Sequence, residues 1–276
     1  MADSTEFDEL AYLRKEVTRL RETLNELTPR IDIILRRRGF QIYRKKPAED
    51  LLLPRGELID DYYRMLHKYS FRLFLRDVIK HQDFFMPEAV TRYSTATVTE
   101  EYIAYLFRTG LIGKKDHGFL LLHKPVKSFG ETLEWYVSEI LKREFGFDTL
   151  WGVKFKRPAV GGDYDVLAKY NGSILYMEVK SSPPKQVYDR EITAFFQRIT
   201  DLSPELAIFF MDTELRMKDK IVPMFDQELK NRFPEPPDIV RMEKELFQMQ
   251  DRIFIINAKG GIIGNIQKVL QWYFRR

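Results

Sequence analysis

The feature that most narrows what this chain can fold into is the pair Asn171-Gly172, set between two stretches rich in aliphatic and aromatic residues. Asn-Gly in that setting is the strongest two-residue hairpin signal, because both residues tolerate the positive φ of a type I′ turn. It predicts a strand beginning at Asp165 paired with a strand from Ile174 to Lys180. Side chains alternate along a strand, so Glu178 and Lys180 share one face while Met177 and Val179 take the other. Asp165 opens the partner strand and can reach the same place across the hairpin. Alone, Glu-x-Lys on a strand is usually a surface pair and an aspartate at a strand start usually a turn acid. Their conjunction at hairpin spacing is what suggests a site.

Other chemistries are excluded by composition. Cysteine is absent, which removes disulfides, thiol nucleophiles, iron–sulfur clusters and cysteine-ligated zinc. The 4 histidines (His67, His81, His117, His123) are scattered. No P-loop, dinucleotide-binding glycine motif, nucleophile elbow or HExxH is present. Chemistry must therefore come from carboxylates, lysines and hard cations. Lys plus Arg number 45 against 41 acids, a net charge of +4 that permits an acidic partner without identifying one. The 44% apolar content over 276 residues supplies a core for one large or two modest domains. No apolar run approaches the roughly 18 residues of a membrane span. The acidic start from Met1 to Glu6 is unlike a signal n-region, so a cytoplasmic protein is expected.

Asp165, the hairpin and Glu178-Val179-Lys180 together resemble the PD-(D/E)XK nuclease superfamily, the restriction-endonuclease-like fold, and within it the Holliday-junction-resolvase-like branch. The family's preceding helix with an acid is matched by Gly130-Glu131-Thr132-Leu133-Glu134, with a helical continuation through Leu141. A strand from Thr149 to Lys156, a helix from Val187 to Leu202 and a strand from Leu206 to Met211 complete the order. Tyr164 stands where the family has proline, and Asp163 competes with Asp165 as the ligand. The resemblance implies an α/β (α+β) core with a mixed sheet and a metal-dependent endonuclease acting on duplex or branched DNA. It implies Mg²⁺ or Mn²⁺ on Asp165 and Glu178, with the Val179 carbonyl as a further ligand. Lys180 would orient the attacking water or stabilise developing charge. Glu134, or in its place Glu131, would bind a second metal or a coordinated water, and Gln197 or Arg198 would assist.

The N-terminal part reads differently. Leu10, Leu13, Val17, Leu20, Leu24, Leu27, Ile31 and Ile34 alternate spacings of three and four, a heptad pattern. Glu9 and Glu16 fall at g, Arg14 and Arg21 at e, which suits a parallel homodimer; a helix packed on its own globular body is the alternative. Pro29 interrupts the helix, so the clean coiled coil ends near Leu27. A basic run, Arg36, Arg37, Arg38, Arg44, Lys45 and Lys46, is either a solvated connector or a phosphate contact. Residues 57–125 read as helices and a hairpin, an order that resembles winged-helix domains. Thr97 to Glu100 is expected as a capping box, with Ile103, Leu106 and Phe107 inward and Glu100, Glu101 and Tyr105 outward. Those two acids disfavour DNA on that helix, whereas the hairpin tip with Lys114 and Lys115 suits it. The expected organisation is therefore coiled coil 1–35, basic connector 36–56, winged-helix-like domain 57–125 and nuclease domain 126–276. A partner-activated or non-catalytic DNA-binding protein, docked on a larger complex, is the rival reading. Towards the C-terminus, Thr213 to Phe233 reads as helix, Arg252 to Asn257 as strand, and the last helix places Ile266, Val269 and Leu270 on one face.

Overall fold

The computed structural model describes residues 12, 13, 15–17, 19, 20, 23, 28–45, 51–123, 125–156 and 161–275. Its centre is an 8-stranded mixed sheet with the order β1-β4-β5-β6-β7-β10-β9-β8. The strands are β1 (Ile42–Lys45), β4 (Asp148–Phe155), β5 (Tyr164–Tyr170), β6 (Ser173–Lys180), β7 (Leu206–Met211), β8 (Val240–Glu243), β9 (Leu246–Met249) and β10 (Ile253–Asn257). A separate hairpin pairs β2 (Ile112–Lys115) with β3 (Gly118–Leu121). The Asn171-Gly172 turn forms as expected, with positive φ at both residues, and sets β5 antiparallel to β6 with Val166 opposite Met177. β6, β7 and β10 run parallel, so their carboxyl ends share one end of the sheet.

Alternation along these strands divides the core into two layers. Val166, Ala168, Leu175, Met177 and Ile208 meet one apolar cluster, covered by α5 (Gly130–Phe145) and α8 (Ile262–Phe274). The same cluster takes in α2 (Leu58–Leu66), α3 (Tyr69–Lys80) and α4 (Ala96–Arg108), so the helical region shares its core with the sheet. Leu167, Tyr176, Phe209 and Ile255 face the other cluster, covered by α1 (Ile31–Arg37), α6 (Asp189–Leu202) and α7 (Ile221–Arg232).

Several expectations are corrected. Ile31 and Ile34 are not coiled-coil positions: both are buried in the second cluster, and the Ile31 amide donates to Asp148 Oδ2 at 2.8 Å. The stretch read as a connector supplies edge strand β1, whose Lys45 pairs with Val153 of β4. Of the heptad positions, Leu13, Val17 and Leu20 are helical and 45–50% exposed, while Leu10, Leu24 and Leu27 lie outside the described residues. Glu9, Arg14 and Arg21 also lie outside them, and Glu16 pairs within its own helix with Arg19 at 2.6 Å. α4 opens at Ala96 rather than Thr97, capped by the Thr95 hydroxyl, which accepts from the Val98 amide. In this helix Tyr105 is buried and Phe107 exposed, the reverse of the expected facing, while Glu100 and Glu101 point outward as anticipated. The helix expected from Thr213 begins only at Ile221. Among the described residues, no helix is long and apolar enough to cross a membrane.

Candidate active site

Three charged side chains meet at the carboxyl end of β6. Glu178, 2% exposed, accepts from Lys180 Nζ at 2.7 Å through Oε1 and from Arg198 Nη1 at 2.8 Å through Oε2. The Tyr176 hydroxyl donates to the same Oε2. Asp165, at the start of β5, lies across the hairpin and accepts from the Val179 amide at 2.8 Å through Oδ2. The alternation that buries Tyr176 thus places Glu178 and Lys180 on its side of the sheet. Lys180 also lies 3.5 Å from Glu191 Oε1, at the N-terminus of α6. Glu191 and Arg198 are seven residues apart, two helical turns, so one face of α6 presents both to the site.

The electrostatics of the two carboxylates diverge. Desolvation, then the nearby charges of Glu178 and Glu134, push the Asp165 carboxyl well above its ordinary range. Glu178 is also desolvated, but Lys180 and Arg198 outweigh that and hold it below the usual carboxylate value. Burial works against charge on Lys180 and Arg198, yet the carboxylates win and raise both. The centre therefore holds an ionised Glu178 saturated with cations beside an Asp165 that resists ionisation.

The other sequence candidates fall in different places. Glu134 is buried on α5 and close enough to act on Asp165; Glu131 is only partly buried in the first turn. Asp163 points instead to Lys154 Nζ at 2.9 Å. Gln197 sits on the exposed side of α6, and its neighbour Arg198 turns inward. Gly162 borders that guanidinium: a Cβ there would meet Arg198 Nη2 at 2.6 Å, and its φ of +102° disfavours a side chain in any case. Among the basic residues, Arg36 and Arg37 are exposed, while Arg38 tethers α1 to Glu205 at 2.5 Å and to the Ser203 carbonyl at 3.0 Å. Arg44 and Lys45 belong to β1, and Lys46 lies outside the described residues. Lys114 and Lys115 are exposed on β2, which is not part of the eight-stranded sheet. Tyr176 and Glu191 escaped sequence reasoning, although Tyr176 shares the period-two face of Glu178.

Among the described residues, no group of three or more His, Asp and Glu side chains gathers closely enough to hold a metal. The two carboxylates at the hairpin nonetheless fit a hard cation, which takes oxygen ligands and, in the case of Mg²⁺, is commonly held by one or two carboxylates. The repulsion that raises Asp165 is also what a divalent cation relieves.

No protein-family model matches the chain, and no curated protein matches it significantly. Solved structures similar to it include the following two. Can2 from Sulfobacillus thermosulfidooxidans, in complex with cyclic tetra-adenylate, has a TM-score of 0.48 and 13% identity, covering 85% of this chain and 58% of Can2. Protein VC1899 from Vibrio cholerae has a TM-score of 0.43 and 15% identity, covering 66% of this chain and 51% of its own. The chain spans little more than half the length of either.

Proposed function

We propose that the protein is a divalent-metal-dependent nuclease that hydrolyses phosphodiester bonds in DNA. The observation that carries this reading is the convergence of Asp165, Glu178 and Lys180 at the carboxyl end of β6, with Glu134 within electrostatic reach. Asp165 and Glu178 would hold Mg²⁺ or Mn²⁺, which when bound lowers the pKa of a water and offsets charge on the phosphate. Lys180 keeps its proton, raised by its carboxylate neighbours, so it serves as a charged donor that orients the attacking water or the phosphate. Arg198 holds Glu178 ionised, and Tyr176 fixes its orientation. With Glu178 engaged by a cation, Lys180 and Arg198 would be available to the phosphate oxygens.

Labelled duplex, single-stranded and four-way-junction DNA tests the activity: cutting is expected with Mg²⁺ or Mn²⁺ and none in EDTA. Independently of activity, millimolar Mg²⁺ should raise the melting temperature of the wild type but not of Asp165→Ala. An unchanged melting temperature in the wild type contradicts the metal assignment.

One observation favours a second reading. Both Glu178 oxygens are already engaged by protein donors, as in a centre that needs a partner or bound DNA to open it. Binding of DNA without cutting on any substrate would select this partner-activated or non-catalytic protein. The exposed heptad residues Leu13, Val17 and Leu20 support docking through a parallel homodimeric coiled coil.

A further inference from the structure

A second cluster of charge lies at the same end of the sheet. A cavity of about 390 Å³ is lined by Arg216, Lys218, Asp219, Arg241, Glu245 and Lys259. Four cations face two carboxylates there. Glu245, 6% exposed, organises the site: its Oε2 accepts from the Met217 amide at 2.8 Å and its Oε1 lies 3.5 Å from Arg241 Nη2. Arg216, Lys218 and Lys259 form no ion pair with any described residue, whereas Arg143, Lys230, Arg232 and Lys268 are each matched by a carboxylate. Four cations against two carboxylates leave the cavity with an excess of positive charge, which suits an anionic ligand.

The topology ties this cavity to the candidate active site. Arg216, Lys218 and Asp219 follow the end of β7, and Lys259 follows the end of β10. The Asp212 amide donates to the Lys180 carbonyl at 2.8 Å, the Ala258 amide to the Thr213 carbonyl at 2.9 Å, and Asn257 Nδ2 to the Leu215 carbonyl at 2.9 Å. These bonds knit the ends of β6, β7 and β10 together. Only β7 separates β6 from β10, so the two are about 10 Å apart at ordinary strand spacing. Along a duplex that distance spans about three phosphates of one strand. Ligands of open α/β sheets bind outside the carboxyl ends of such strands.

We propose that this cavity binds backbone phosphates of the DNA a few nucleotides from the scissile bond, an inference that rests on the nuclease reading for its substrate. It sets the path of the strand from Lys180 across the ends of β7 and β10.

The test is binding of a fluorescent DNA duplex to the full chain in EDTA, over a range of salt. Arg216→Gln with Lys259→Gln should weaken binding several-fold and flatten the dependence of log K on log salt by about two contacts' worth, roughly 0.9 for each phosphate. Arg216→Lys with Lys259→Arg should retain the wild-type slope, and Lys230→Gln with Lys268→Gln, on paired cations elsewhere, should behave as wild type. Equal affinity and slope in the Arg216 and Lys259 glutamine variant overturns the inference, as does a wild type that does not bind duplex. If the glutamine variant shows the expected slope change but the wild type cuts no DNA with Mg²⁺ or Mn²⁺, the nuclease reading falls and the phosphate site stands.

Discussion

Glu178 and Asp165 sit one strand apart yet respond to acid with opposite signs. Asp165 has its ionisation suppressed by desolvation and by Glu178 and Glu134. Its contribution to stability is full below its ordinary value of 3.8 and is lost as pH rises through its elevated value in the folded protein. Glu178 is the reverse: its contribution is present above 4.5 and is lost as pH falls through its depressed value. Asp165→Asn removes the first loss. In metal-free buffer it should therefore raise the melting temperature near neutral pH, with a gain that shrinks towards about pH 4. A variant equally destabilised at both pH values contradicts the electrostatic account of this carboxyl. Metal affinity should rise over the same window, because the cation takes the ionised carboxylate.

At the scale of elements, α3 is held to the sheet by a buried ion pair. Arg72, 2% exposed, donates to both Asp212 oxygens at 2.8–3.1 Å and to the Leu66 carbonyl at 2.6 Å, and Arg76 donates to Asp212 Oδ2 at 2.5 Å. Asp212 is fully buried at the end of β7, its amide bonded to Lys180. Asp212→Ala strands two guanidinium groups and should cost about 3–5 kcal/mol in denaturant unfolding. A loss under about 1 kcal/mol, the range of an exposed pair, contradicts this. That pair was not legible in the sequence, since 140 residues separate its members and neither sits in a local motif. The β5–β6 hairpin was legible because its turn chemistry and period-two pattern agree. Edge strands β1 and β8 were not: Ile42-Tyr43-Arg44-Lys45 and Val240-Arg241-Met242-Glu243 carry the charged residues common at sheet edges and so lose the apolar signal. The inward turn of Arg198 rather than Gln197 follows from the packed face of α6, on which Phe195, Arg198, Ile199 and Leu202 are buried.

For the whole molecule, one sheet joins residues from Ile42 to Asn257, so the α1–β1 stretch belongs with the body that carries the site rather than with a linker. What remains outside that body in the described chain is the helical stretch bearing Leu13, Val17 and Leu20, about half exposed. Light scattering should report a dimer that Leu13→Glu with Leu20→Glu converts to a monomer without loss of the melting transition; a wild-type monomer contradicts the homodimer. A dimer would present two sites to two DNA strands, which suits duplex or junction cleavage. The most direct measurement of the central claim is metal-dependent cleavage of labelled duplex and four-way-junction DNA by wild type, Glu178→Ala and Lys180→Ala. Cutting by the wild type with Mg²⁺ or Mn²⁺, reduced about 10²–10⁴-fold in Lys180→Ala and comparably in Glu178→Ala, is the predicted result. Cutting that survives in both variants would contradict the assignment of the site.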